Sequence, residues 1–212
     1  MSSESLRKAA EGYATSTVRF NGVHGDCNTL RLPANRYNLV LGWHGIHHVE
    51  AIDFLFDEIE KSLTQDGLFV MCEWIGPRYL QIPYANSIIS KLLLRSMFER
   101  AERITHQGRR KGRWLQDPPS AFEPSEAVAA DRILGALVEK FDVLEKLVFG
   151  GLLYPMFEGL GANKSLSGSD TASRRVRWVG RIERVLTKAG IVQPLFMISV
   201  ARKKALKPKP RM

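Results

Sequence analysis

The sequence predicts an α/β protein built around parallel strands, and three observations carry that prediction. Two short apolar runs, Tyr37–Gly42 and Leu68–Glu73, have the continuous hydrophobicity of strands buried on both faces. Between them Ile52, Leu55, Phe56, Ile59 and Leu63 recur at helical spacing, so Ala51–Leu63 is an amphipathic helix. The connections are short, ending in Gly42 on one side and in Gln65-Asp66-Gly67 on the other. Strand, helix and strand in that order make a right-handed crossover and a parallel pair.

The other elements are read in chain order. Ser2-Ser3-Glu4-Ser5 caps a helix running to Thr15, with Leu6, Ala9, Ala10 and Tyr13 on its apolar face. Val18–Phe20 is a short strand, and Gly22, Gly25 and Asp26 mark a loop. Residues 78–120 break the α/β rhythm. A helix near Ile88–Phe98 and the basic stretch His106–Trp114 make this segment an inserted helical cap or lid. Pro124-Ser125-Glu126 starts a helix over Ala127–Phe141, and Val143–Phe149 is a strand running into Gly150-Gly151. Gly161–Ser173 is rich in glycine and serine and is expected to be mobile. A helix over Ile182–Ala189 closes at Gly190, Leu195–Ala201 is a last strand, and residues 202–212 form a basic tail.

Composition bounds what these elements can be. A chain of 212 residues, 44% hydrophobic, supports one sizeable core and one domain. The net charge of +9 is concentrated in Arg109, Arg110, Lys111 and Arg113, in Arg174, Arg175 and Arg177, and in the tail. No stacking aromatics interleave with these clusters and no groove-reading helix carries them, so a nucleic-acid partner is not expected. Arg109–Arg113 reads as a solvated surface loop that could also steer an anionic acceptor. Cys27 and Cys72 are read as free thiols, at a strand end and in a strand interior, without the C-x-x-C spacing of a zinc site. No apolar run approaches the ~20 residues of a membrane span and no secretion signal is recognisable, so no integral membrane segment and a cytoplasmic setting are expected.

The motifs Gly25-Asp26-Cys27, Leu32-Pro33, Tyr37-Asn38-Leu39-Val40, Ile46-His47-His48-Val49, Leu63–Gly67 and Glu73 follow one another in an order and spacing that resembles the class I S-adenosylmethionine (SAM) dependent methyltransferases. The resemblance implies an incomplete Rossmann-like sheet, with the later strands present. Asn38 stands where the family has Asp, and Asp66 replaces a glycine. The family's glycine-rich turn and the acid that binds the ribose would fall before Ser2, so the chain is expected to be a truncated form lacking the first two strands. Tyr37–Leu41 would then be a bare or partner-covered edge, for which a homodimer is one arrangement. The last strand is implied to insert antiparallel beside the fifth, pairing Leu195–Ala201 with Leu68–Glu73.

For chemistry, the resemblance implies SAM as cofactor. Asp26 would accept from the adenine amine and the Cys27 backbone would read a ring nitrogen, while Gly42, Trp43 and His48 would line the methionine end. Asp26 can equally close an Asx turn, and His47 with His48 can equally be a packing pair at a helix start. No metal role is expected, because adjacent helical residues diverge by about 100°. His44, His47 and Glu73 are the candidates for proton transfer, being polar groups at strand ends. Two functional readings follow: methyl transfer to a small-molecule, glycan or lipid-precursor acceptor, or a non-catalytic methyltransferase-like module that binds or assembles. SAM binding by the truncated chain is the question that separates them. A basic surface binder using Arg202–Arg211 is a third.

Overall fold

The computed structural model describes residues 7, 8, 11, 21–105, 108, 111, 124–158, 160 and 170–204. The strand expected at Val18–Phe20 lies outside them, as do Arg109, Arg110, Arg113 and most of the tail; of the first expected helix, Arg7, Lys8 and Glu11 are described and helical.

Four strands form one sheet: β1 (Tyr37–Trp43), β2 (Leu63–Trp74), β3 (Phe141–Phe149) and β4 (Phe196–Lys203), in the spatial order β1-β2-β4-β3. Helix α1 (Ile52–Ser62) crosses from β1 to β2, which run parallel with Leu39 opposite Leu68 and Trp43 opposite Cys72. Strand β4 inserts antiparallel between β2 and β3, placing Met71 opposite Ser199 and Trp74 opposite Phe196. Leu195–Ala201 therefore neighbours Leu68–Glu73, as the resemblance implied.

Helix α1 buries Ile52, Leu55, Phe56 and Ile59, the face its spacing marked. Against it lie Phe69 and Phe141, and the three rings meet at 5.3 to 6.2 Å in edge-on and tilted contacts. Truncating any one of these buried rings to alanine would cost about 3–5 kcal/mol. Helix α3 (Ala130–Lys140) covers the same core through Ile133, Ala136 and Leu137.

A second apolar cluster joins α2 (Tyr84–Met97), α4 (Leu153–Phe157) and α5 (Asp170–Lys188) through Leu94, Phe98, Leu152, Met156, Val179 and Val192. Buried Asn86 ties the start of α2 to the connections after β3 and before β4: its side chain donates to the Gly151 and Gln193 carbonyls at 3.0 and 2.6 Å and accepts from the Gln193 amide. Glu183 of α5 accepts from the amides of Gly150, Leu152 and Leu153, which fixes the chain leaving β3.

Four sequence expectations are corrected. Strand β1 is not buried on both faces: Leu41 and Trp43 are 64% and 66% exposed, while Val40 and Gly42 turn toward the core. A continuous apolar run does not reveal which face is covered, and among the described residues β1 pairs with β2 alone. Asp170–Ser173, expected to be mobile, open the 19-residue helix α5. Lys111, expected in a solvated loop, is buried and pairs with Glu158 at 3.1 Å. Cys27, read as a strand end, sits exposed in a turn. No helix among the described residues is long and apolar enough to cross a membrane.

Candidate functional site

In an open parallel sheet the carboxyl ends of the strands converge on one rim, where ligands bind. Here that rim holds the end of β1, the end of β2 and, because β4 runs the other way, its first residue. The register of Trp43 opposite Cys72 puts Glu73 beside the turn that leaves β1.

Glu73 is fully buried and organises that turn. One carboxylate oxygen accepts from the Gly45 and Ile46 amides at 2.7 and 2.9 Å, and the other accepts from His47 Nδ1 at 2.7 Å. Burial acts to raise its pKa, yet the His47 hydrogen bond, the two amides and the His47 charge outweigh it and bring the carboxyl below the ordinary glutamate value. The 3-10 turn Ile46–His48 is thereby pinned to β2. Gly42 allows the close approach: a Cβ there would lie 2.3 Å from Ile46 Cδ1, so the room of its missing side chain is filled by Ile46.

His44 leaves β1 in the left-handed region, φ +50°, with its amide donating to the Cys72 carbonyl at 2.9 Å. Non-glycine residues rarely adopt this conformation, and it turns the imidazole out of the strand. The ring sits edge-on to Trp43 and to Phe196, both at 5.8 Å, and Nε2 is 3.6 Å from Cys72 Sγ. Burial, and then the Glu73 charge, push the Cys72 thiol up, which keeps it protonated. Phe196 continues the aromatic wall to Phe149, stacked at 5.7 Å, and to Tyr154 at 5.1 Å. Gly150 has φ +82° and lies so close to Phe196 that a Cβ would come within 2.6 Å of its ring. The Tyr154 hydroxyl is pushed up to about 12 by burial and then by the carboxylates of Glu158 and Glu126.

His47 and His48 do not diverge as their adjacency suggested. Their ring centroids are 4.3 Å apart, and their Nε2 atoms lie 3.5 and 3.9 Å from the two carboxylate oxygens of Glu126. Asp26 closes an Asx turn, one of the two roles considered for it: Oδ1 accepts from the Asn28 amide and side chain, both at 2.9 Å, and these bonds lower its pKa. Asn28 Oδ1 then accepts from the Glu50 and Ala51 amides, joining the 26–29 loop to the start of α1 just past the histidines.

The rim thus gathers His44, His47, His48, Glu73, Gly42 and Trp43, with Asp26 and Cys27 on the loop fastened to it. Sequence reading missed Glu126, Tyr154, Phe196 and Asn28. Only Asn28, two residues after Asp26, had a local signal, the spacing of an Asx turn.

The first 71 of 212 residues match the family described as a methyltransferase domain, a segment that contains the motifs from Gly25-Asp26-Cys27 to Gly67. Among solved structures, the chain is similar to an S-adenosylmethionine dependent methyltransferase from Mesorhizobium loti, with a TM-score of 0.50, 17% identity, and 95% of this chain against 77% of that one. The fold is that of a class I SAM-dependent methyltransferase. A candidate sarcosine dimethylglycine methyltransferase from Galdieria sulphuraria also gives a TM-score of 0.50 at 10% identity, covering 96% of this chain and 67% of that one. The [4+2]-cyclase SpnF aligns with a TM-score of 0.48 at 16% identity, and this chain spans 65% of its length. No curated protein matches the chain. The rim described above is the carboxyl edge of this fold, the side on which open α/β sheets bind ligands.

Proposed function

We propose that this chain is a SAM-dependent methyltransferase acting on a small-molecule, glycan or lipid-precursor acceptor, with His44 as the group that takes the acceptor's proton. The observation that carries the reading is His44 itself, turned out of β1 by a left-handed backbone into an aromatic corner at the ligand rim. Of the three proton-transfer candidates, Glu73 has both oxygens engaged and no exposed surface, and His47 is buried with Nδ1 committed to Glu73. Both are positioning residues. His44 is exposed, with Nε2 3.6 Å from Cys72 Sγ and Nδ1 left for an acceptor.

SAM supplies an electrophilic methyl on its sulfonium when bound, and the chain's task is alignment and proton removal. The residues fit such a ligand in kind. Asp26 is an exposed carboxylate whose lowered pKa keeps it an acceptor for an adenine amine, and the Trp43 indole is 66% exposed beside His44. Gly42 contributes the packing of the turn instead of a cofactor cradle, since Ile46 fills its space. The bound cofactor would supply the methyl group, and the His44 imidazole would take the proton that the acceptor gives up.

Calorimetric titration with S-adenosylhomocysteine tests the reading first. Saturable micromolar binding supports it, and no binding up to the solubility limit overturns it in favour of a non-catalytic module. With an acceptor found by screening for S-adenosylhomocysteine release, His44→Gln is expected to lower kcat by about 10²–10⁴-fold while leaving product affinity unchanged.

A further inference from the structure

We propose that His47, His48 and Glu126 bind a divalent transition-metal ion, with Glu73 as the carboxylate that orients the His47 ligand. Three side chains from two separate segments of the chain present one ligand atom each, all within 4.8 Å of one another. A metal bound at ~2.0–2.2 Å by imidazole and carboxylate holds neighbouring ligand atoms about 3–3.5 Å apart, so the cluster, whose ligand atoms lie within 4.8 Å of one another, closes on an ion by side-chain rotation of roughly an ångström.

The hydrogen bonding of His47 is the second observation. Its Nδ1 lies 2.7 Å from a buried carboxylate oxygen, which fixes the ring and leaves Nε2 facing Glu126. Nε2 lies 3.5 Å from a carboxylate oxygen of Glu126, beyond ordinary hydrogen-bond length. A cation between them would take both atoms as ligands and use the carboxylate–histidine–metal arrangement in which the outer carboxylate fixes the ring and raises its basicity. His48 supplies a second imidazole from the same turn. The His48 and Glu126 side chains are 40% and 22% exposed, which leaves a path for the ion.

Two imidazoles and one carboxylate select zinc, manganese, iron(II) or cobalt over magnesium and calcium. Three protein ligands leave at least one coordination position for an oxygen. On the methyl-transfer reading that position faces the acceptor, and the ion would hold and polarise an acceptor hydroxyl near His44. Only this role rests on that reading. The binding claim stands apart from it, because the test below contains neither SAM nor acceptor.

Tag-free protein is stripped with chelator and titrated with zinc(II), followed by calorimetry and by metal analysis after gel filtration. About one zinc per chain is expected, with affinity reduced at least tenfold in His48→Ala and in Glu126→Gln, and unchanged in the exposed control Glu50→Gln. Glu73→Gln is expected to reduce affinity by about 10–100-fold. Substitution with cobalt(II) gives a readout on the unaltered chain: visible d–d bands and two hyperfine-shifted exchangeable imidazole resonances, one from each histidine Nδ1–H. Zinc affinity that is the same in wild type, His48→Ala and Glu126→Gln overturns the proposal. So does a cobalt complex without shifted imidazole resonances, which would leave His47 as an imidazolium paired with Glu73 and Glu126.

Discussion

His47 Nδ1 and Glu73 Oε2 lie 2.7 Å apart, joining a turn after β1 to the end of β2 with the two side chains 9% and 0% exposed. The same carboxylate also receives the Gly45 and Ile46 amides, so one buried charge satisfies three donors. Removing one partner of such an arrangement strands the others. Glu73→Ala is expected to destabilise the fold by about 3–5 kcal/mol, and Glu73→Gln, which keeps the shape and one acceptor, by less. Urea unfolding midpoints at pH 7 measure both, and a Glu73→Ala variant as stable as wild type would remove Glu73 from its anchoring role.

Acid should loosen the same region, and the direction follows from the carboxylates. Glu73 has a folded pKa below the ordinary 4.5, where burial is outweighed by its hydrogen bonds. Glu58 is held down to about 2 by the Lys61 hydrogen bond and then by the Leu32 amide, against the effect of burial. A depressed folded pKa means that the unfolded chain binds more protons between the two values. The stabilisation is therefore complete above 4.5 and is lost as pH falls toward the folded values. Unfolding midpoints measured from pH 7 to pH 2.5 should stay level at first and then drop, with a shallower drop in Glu58→Gln and in Glu73→Gln. Equal slopes in all three proteins would contradict the assignment.

Gly42→Ala tests the packing of the turn. Its Cβ would meet Ile46 Cδ1 at 2.3 Å, well inside contact distance, and overpacking of this kind costs about 1–3 kcal/mol. Ile46→Val deletes that methyl, so the double variant should recover part of the loss. Strict additivity of the two single effects in thermal unfolding would show that the contact is not the cause.

The sheet was largely legible because its evidence is local. Apolar runs at Tyr37–Gly42 and Leu68–Glu73 flanking a helical period fixed the parallel pair, and the resemblance supplied the antiparallel entry of Leu195–Ala201. The burial of β1 was not legible, since Leu39 and Leu41 would look the same with either face covered. Helix α5 was read too short because Arg174, Arg175 and Arg177 and the glycines before them masked its apolar side, including Val179, which is fully buried. At the site, His44, His47 and Glu73 were singled out one by one, but the His47–Glu73 bond spans 26 residues and depends on strand register. Glu126 looked like a helix-start residue. Its approach to His47 and His48 exists only once α3 and its preceding turn have packed onto the rim.

His44 offers a prediction in which stability and chemistry part company. At φ +50° a Cβ is strained by roughly 1 kcal/mol, whereas glycine adopts this conformation freely. His44→Gly should therefore be at least as stable as His44→Ala, by up to about 0.6 kcal/mol, since the strain relieved offsets the added entropy of the unfolded chain. Both variants lose the imidazole, so both should lose methyl transfer equally if His44 takes the proton, and the acidic limb of the pH–rate profile should vanish with it. Thermal unfolding supplies the first comparison, and release of S-adenosylhomocysteine across pH supplies the second. Should the alanine variant prove the more stable, the left-handed turn would not be a strained feature of the protein. Should either variant keep its full rate and its acidic limb, the proton would be leaving by another route, and His44 would serve only to shape the wall between Trp43 and Phe196.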